Sequence, residues 1–259
     1  MAIIQNISHL IFLASLIILF FYLVRRSKTH IPYIREPGAI QAITEGIGRA
    51  TEMGRPVLVT TGRGTMFEFK SSASQTASYS IIGYIAKIAA QQGGRIIAGV
   101  YGGQNMPYME ETLHAGRIEA EAPPEVEDSW EVRFMGSTTF SYASAMLEAI
   151  LRDKPGSMFA FGAMFDESLV FLGVGRREGV FQIFGSDTTS NQCWWAALAD
   201  YMMWHEDMYV AGALLRQDKE MMYTIKGQDV LRLVVIAIIV LGIVLKFGFN
   251  YSISNILTL

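Results

Sequence analysis

The chain has 259 residues, 51% apolar and only 17% charged, which is too apolar for a disordered chain and long enough to bury a real core. A net charge of -3, with no Lys/Arg stripe interleaved with aromatics, argues against a nucleic-acid partner. Cys193 is the only cysteine, so there is no internal disulfide, and no Cys/His cluster has zinc spacing.

Residues 2–24 carry no charge, Leu10 to Val24 are apolar or small throughout, and Arg25, Arg26 and Lys28 follow at once. That length spans a bilayer. A signal peptide is the competing reading, but it places its cations before the apolar run rather than after it. Near the other end, Leu233 to Leu245 lies between Arg232 and Lys246. With both cations snorkelling and Val230, Leu231, Phe247 and Phe249 counted, residues 230–249 form a second spanning segment, a buried core helix being the alternative. Arg25, Arg26, Lys28, Arg35, Arg216, Lys219, Lys226 and Arg232 lie on the inner sides of the two segments, Lys246 alone on the outer. The positive-inside rule then places residues 31–225 in the cytoplasm of a multi-pass membrane protein with both termini outside.

The middle region alternates between helical and extended patterns. Pro37 opens a helix that stops near Gly54, and the β-rich run Val57 to Thr60 follows Pro56. A helix over Ser72 to Gln92 ends at Gly93-Gly94, before a strand over Arg95 to Tyr101. A short helix from Pro107 to Arg117 leads into the acidic, proline-containing loop EAEAPPEVED. Then come a strand over Trp130 to Met135, a helix over Thr139 to Arg152 and a strand over Met158 to Gly162. Glu167 to Arg177 reads as a helix behind an Asp166 cap, or else as a hairpin partner of the strand Val180 to Phe184. Strands separated by helices imply crossovers, hence a Rossmann-like α/β domain with a mostly parallel sheet of about five strands covered on both faces.

From Ser190 to Gln217 the pattern predicts one long helix whose Trp, Tyr, Met and Leu residues surround it instead of forming one stripe. Such a helix needs cover on most sides. Trp194, Trp195 and Trp204, with the small residues Ala86 and Ala90 of the Ser72 to Gln92 helix, are therefore the candidate surface for a homo-oligomer.

The run Glu45-Gly46-Ile47-Gly48-Arg49-Ala50-Thr51-Glu52-Met53-Gly54-Arg55-Pro56-Val57-Leu58 resembles a segment of a family of prokaryotic membrane proteins known only as a domain of unknown function. A weaker likeness lies in Gly175-Arg176-Arg177-Glu178-Gly179-Val180-Phe181-Gln182-Ile183. The resemblance implies a prokaryotic membrane origin and carries no activity, cofactor or catalytic residue to this chain.

Open α/β domains bind ligands at the carboxyl edge of the sheet. Four loops expected there are rich in glycine and hydroxyls: Thr60 to Thr65, Gly102 to Asn105, Gly136 to Thr139 and Gly185 to Asn191. Gly62, Arg63, Gly64, Thr65, Asn105, Thr138 and Ser186 form the candidate ligand site, with helix-start amides and Arg63 making an electropositive spot for a small anion. The alternative is that these hydroxyls only cap helices. Gly62-x-Gly64 is not a full dinucleotide fingerprint, Gly46-x-Gly48 falls inside a helix, and neither a Walker sequence nor a GxSxG elbow occurs.

His9, His30, His114 and His205 share no metal-ligand spacing with carboxylates, Glu110-Glu111 with His114 reads as an exposed helix face, and Cys193 reads as a small buried residue. No cofactor and no catalytic or metal site is expected. These features define a membrane-anchored scaffold that self-assembles through its cytoplasmic domain, or alternatively a membrane-tethered sensor of a small anion or nucleotide. Neither reading requires an enzyme, and a membrane-bound hydrolase stands behind both as a third.

Overall fold

The computed structural model describes residues 34–189 and 192–249, together with 10, 13–22 and 25. In chain order the helices are α1 (Leu13–Tyr22), α2 (Gly38–Glu52), α3 (Ser72–Gln92), α4 (Met106–Glu119), α5 (Thr139–Asp153), α6 (Glu167–Arg177), α7 (Gln192–Leu198), α8 (Glu206–Leu215) and α9 (Lys219–Phe249). Strands β1 (Val57–Gly62), β2 (Ile96–Tyr101), β3 (Glu131–Gly136), β4 (Ser157–Ala163), β5 (Phe181–Ser186) and β6 (Tyr201–Trp204) alternate with them. The chain divides into two compact units, Glu36–Gln217 and the terminal segments Met1–Arg35 with Asp218–Leu259.

The Glu36–Gln217 unit is a six-stranded, wholly parallel sheet in the order β3-β2-β1-β4-β5-β6. This is the doubly wound, Rossmann-like arrangement, whose strand order reverses between β1 and β4. Its central strands are buried along their whole length, as helix cover on both faces requires. On one face Ile43, Ile47, Ile81, Ile85, Met109 and Met208, from α2, α3, α4 and α8, pack on Val57, Val59, Ala98 and Phe159. On the other, Tyr142, Met146, Phe171 and Trp195, from α5, α6 and α7, pack on Leu58, Ile97, Met158 and Phe184.

Two sequence expectations are corrected. The expected helix over Ser190 to Gln217 is instead α7, β6 and α8, with Ser190 and Asn191 outside the described residues. Asp200 makes the break: its amide donates to the Gln182 carbonyl at 2.9 Å and its carboxylate accepts from the Gln182 amide at 2.8 Å, which starts a sixth strand beside β5. His205, at φ 40, ends that strand. The hairpin alternative also falls, because Glu167–Arg177 is helical and β5 pairs in parallel with β4.

In the terminal unit, Lys219–Val244 is the one helix among the described residues long and apolar enough to cross a membrane; its most apolar window has a mean hydropathy of 2.2 and is 6% buried. The described part of the N-terminal apolar run, α1, is shorter than that. Residues 2–9, 11–12 and 23–24 of the expected first anchor lie outside the described residues.

Gly156, just before β4, meets α2 so closely that a Cβ there would lie 2.6 Å from the Ala50 Cα, a backbone atom that cannot swing aside. Gly156→Ala should therefore cost about 2 kcal/mol by overpacking and lower the melting temperature by about 4 to 8 °C. Circular dichroism melts of both proteins in mild detergent check this.

Candidate functional site

At the carboxyl edge the ends of β1 and β4 are tied together. Gly62 closes β1 at φ 69, and a Cβ there would stand 2.5 Å from the Ala163 carbonyl oxygen, so glycine alone fits. The next amide, that of Arg63, donates to the same carbonyl at 2.9 Å. This fixes the direction of the Arg63 side chain. Its Nη1 donates to Thr139 Oγ1, its Cζ lies 4.7 Å over the Phe165 ring, and its Nε stands 3.2 Å from Glu167 Oε1 in an ion pair without hydrogen-bond geometry.

Glu167 is the buried member of that pair, its side chain 1% exposed against 23% for Arg63. Its Oε1 also accepts the Phe165 amide at 3.1 Å, while Oε2 is buried and meets no donor. Behind it the Tyr142 hydroxyl bonds Thr60 Oγ1 at 2.8 Å. Burial pushes the Tyr142 phenol well above its ordinary value; the Thr60 hydrogen bond opposes this and the Glu167 charge adds to it.

The loop from β1 to α3 is closed by local bonds. The Thr65 amide donates to Ser71 Oγ at 3.1 Å, and that hydroxyl donates to the Thr65 carbonyl at 3.0 Å. The buried Asn105 clamps the loop from the β2 side, its Nδ2 donating to the Gly64 carbonyl at 3.0 Å and the Tyr101 carbonyl at 2.9 Å. Gln75 holds it from α3 through a 2.7 Å bond to the Thr61 carbonyl.

Between these walls opens a cleft of about 600 Å³, lined by Arg63, Gly64, Thr65, Glu68, Lys70, Ser71, Tyr101, Thr139, Ala163, Phe165, Asp187 and Thr188. It lies where the strand order reverses, the place at which such sheets bind ligands. Arg63, Gly64 and Thr65 of the sequence-derived set line it. The other four support it from behind: Gly62 is the turn, Asn105 the clamp, Thr138 caps α5 in a capping box with Ser141, and Ser186 Oγ accepts the Thr188 amide at 3.2 Å.

The electropositive spot expected at Arg63 is muted, because Glu167 holds that charge and Glu68 and Asp187 share the cleft with Lys70. Lys70, Phe165 and Glu167 escaped the sequence reading, and Thr139 and Asp187 stood in its edge loops but outside its candidate set. Their association depends on β1 lying next to β4, a pairing 100 residues apart in the chain between Val57 and Ser157, for which no local motif exists.

The remaining candidates are placed as follows. Trp195 is fully buried and donates its Nε1 to Ser168 Oγ at 2.6 Å; Ala86 and Ala90 are buried within the domain; Trp194 is half-buried; Trp204 is 40% exposed. Cys193 is exposed, contrary to expectation, since α7 turns it away from the core that takes Trp195. His114 pairs with Glu127 at 3.0 Å instead of with Glu110 or Glu111. His9 and His30 lie outside the described residues.

Fold and cleft together define a doubly wound α/β domain with a ligand-sized crevice at its switch point. The chain belongs to the family described as Domain of unknown function (DUF6754), whose family model matches residues 2–257. No curated protein and no solved structure matches the chain.

Removing Arg63 strands the buried Glu167. Arg63→Ala should cost about 2 to 3 kcal/mol, below the range for fully buried pairs because Arg63 is part-exposed, and Glu167→Gln added to it should recover most of that loss. Thermal denaturation of the two variants beside the wild type checks both expectations.

Proposed function

We propose that the chain is a membrane-tethered binding protein whose α/β domain senses a small ligand with one anionic group, phosphate being the simplest. The observation that carries this reading is the cleft at the β1/β4 edge, where Arg63 is held over Phe165 with Lys70 and the hydroxyls of Thr65, Ser71, Thr139 and Thr188 around it. Glu68, Asp187 and the buried Glu167 against Arg63 and Lys70 leave the cleft a formal charge of -1, which disfavours a triphosphate more than a monoanion. No cofactor and no catalytic role enter the reading.

The tether is α9, supported by its length and hydropathy and by the cations Lys219, Lys226 and Arg232 at its start. The N-terminal segment 2–24 is proposed as the second anchor, in a prokaryotic membrane, with the domain cytoplasmic and both termini outside. Self-assembly as a scaffold becomes the second reading. Of the residues expected to mediate it, Trp195, Ala86 and Ala90 are committed to the domain interior, and Trp204 is the exposed one that favours it. A monomeric native mass in mild detergent at micromolar concentration would end it.

Calorimetry on the full chain in mild detergent tests the sensor. Phosphate or a nucleoside monophosphate should bind at micromolar strength, no more weakly than the triphosphate. A charge-assisted contact contributes about 1.5 to 3 kcal/mol when dry and less at a wet cleft, so Lys70→Ala should weaken binding by about tenfold. Absence of heat with every phosphate compound sinks the reading. Topology is tested separately, in a Cys193→Ser background, with single cysteines at Ser27 and Ser252 and an impermeant thiol reagent on intact cells. Ser252→Cys should react and Ser27→Cys should not; the reverse pattern overturns the orientation.

A further inference from the structure

Exposed aromatic side chains are distributed unevenly over the Glu36–Gln217 unit. Phe69, Phe140 and Phe67 are 98%, 85% and 72% exposed, and Tyr108, Trp204 and Phe165 are 41%, 40% and 39% exposed. All of them sit where strands end: in the loop after β1, in the first turn of α4 after β2, in the first turn of α5 after β3, in the loop after β4, and at the last residue of β6. Phe134 and Tyr201, the other exposed aromatics of the unit, belong to the edge strands β3 and β6. The opposite edge, where strands begin, carries no exposed aromatic among the described residues; it bears the exposed aliphatic side chains of Met53, Ile118 and Leu151 among the charges of Arg55, Arg95, Lys154, Glu178 and the acids of the loop before β3.

The backbone also enters the unit on the aromatic edge. α2 runs against the strands, with Ala50 beside Gly156 at the start of β4 and Gly46 against Phe181 and Phe159, so its first residue, Gly38, lies toward the edge where strands end. The chain leaves the unit elsewhere, Leu214 to Gln217 lying beside Lys87 and Glu119 in the later turns of α3 and α4.

We propose that this edge rests on the bilayer, with Phe67, Phe69 and Phe140 in the interfacial layer and Trp204 and Tyr108 at their margin. The proposal rests on the membrane-tethered reading, which puts a bilayer within reach of the domain through an apolar helix starting two residues past its end. The rings stand on separate loops on both sides of the cleft, Phe69 next to Lys70 and Phe140 next to Thr139. Phe67 packs edge-on against Tyr108, their ring centroids 6.1 Å apart, while Phe69 and Phe140 project singly from separate loops. Such a spread suits insertion among headgroups better than the continuous packed core of a protein interface. Arg63 is paired with Glu167, and Lys70 faces both Glu68 and Asp187, so this edge has no cationic excess and the contact is apolar in origin and independent of anionic lipid.

The test uses the full chain with Cys193→Ser in phosphatidylcholine nanodiscs, whose two faces are both open to water. Single substitutions Phe69→Cys and Phe140→Cys on this edge, and Glu121→Cys and Lys154→Cys on the other, each carry a spin label. Relaxation by oxygen, which concentrates in lipid, should dominate at the first pair, and relaxation by a water-soluble nickel chelate at the second. Adding phosphatidylserine should leave both patterns unchanged. Nickel-dominated relaxation at Phe69→Cys and Phe140→Cys overturns the proposal, and so does shielding from both reagents, which would show a second copy or another protein on the edge. Failure to enter nanodiscs defeats the tether itself, and calorimetry of the cleft is independent of either result.

Discussion

Glu167 stands at the start of α6 with its side chain 1% exposed, beside the joined ends of β1 and β4. A carboxylate removed from water has to be met by donors and an opposite charge. Arg63 meets it from the end of β1, and the Phe165 amide meets it from the loop of α6 itself. Arg63 can do so only because Gly62 adopts a positive φ that brings the Arg63 amide onto the Ala163 carbonyl. One electrostatic requirement thus couples the end of β1, the β4–α6 loop and, through Thr139, the start of α5.

That coupling also shapes the cleft. At the reversal of strand order the loops after β1 and β4 leave toward helices on opposite faces of the sheet, and the crevice between them has walls already bonded to the scaffold through Asn105, Gln75 and Ser71. A preformed crevice spares a ligand the entropy of ordering these loops. The same bonds explain why most hydroxyls that the sequence offers as ligands are occupied: Thr138 and Ser141 satisfy each other, and Ser186 serves Thr188. The distinction between caps and ligands falls within one edge, loop by loop.

Much of the domain was legible in the sequence because its elements are of the sort that local pattern decides. The α2 stripe of Ile40, Ile43 and Ile47, the αL glycine after α3 and the β-rich run Val57 to Thr60 of β1 each carry their own signal. The stretch 190–217 failed for the opposite reason. A four-residue edge strand among Trp and Met residues has no period of its own, and Asp200 becomes a strand starter only because Gln182 is beside it. The ground for the interface reading changes with it: an all-round apolar helix calls for an outside partner, whereas a short helix, a strand and another helix spend Trp195 and Met208 on the two faces of their own sheet. In the candidate site, Gly62, Arg63 and Gly64 were visible as a glycine-flanked cation after a strand. Glu167 and Phe165 were not, since the pairing of β1 with β4 is a property of topology rather than of spacing.

The loop from Gly62 to Ser71 then carries two tasks within one short span. Its first half, with Arg63, Gly64 and Thr65, forms a wall of the cleft, and its second half bears Phe67 and Phe69 on either side of Glu68, with Lys70 returning to the cleft. The bonds between Thr65 and Ser71 close these halves into one ring of backbone, so a displacement of either half is transmitted to the other. On the proposed functions, a ligand that draws Lys70 inward would move Phe69, its neighbour in the chain, relative to the surface on which it rests. Differential contact of this kind is what a binding event needs in order to shift an equilibrium elsewhere. The coupling would pass through the β1–α3 loop alone, since Asn105 and Gln75 hold the base of that loop to β2 and α3.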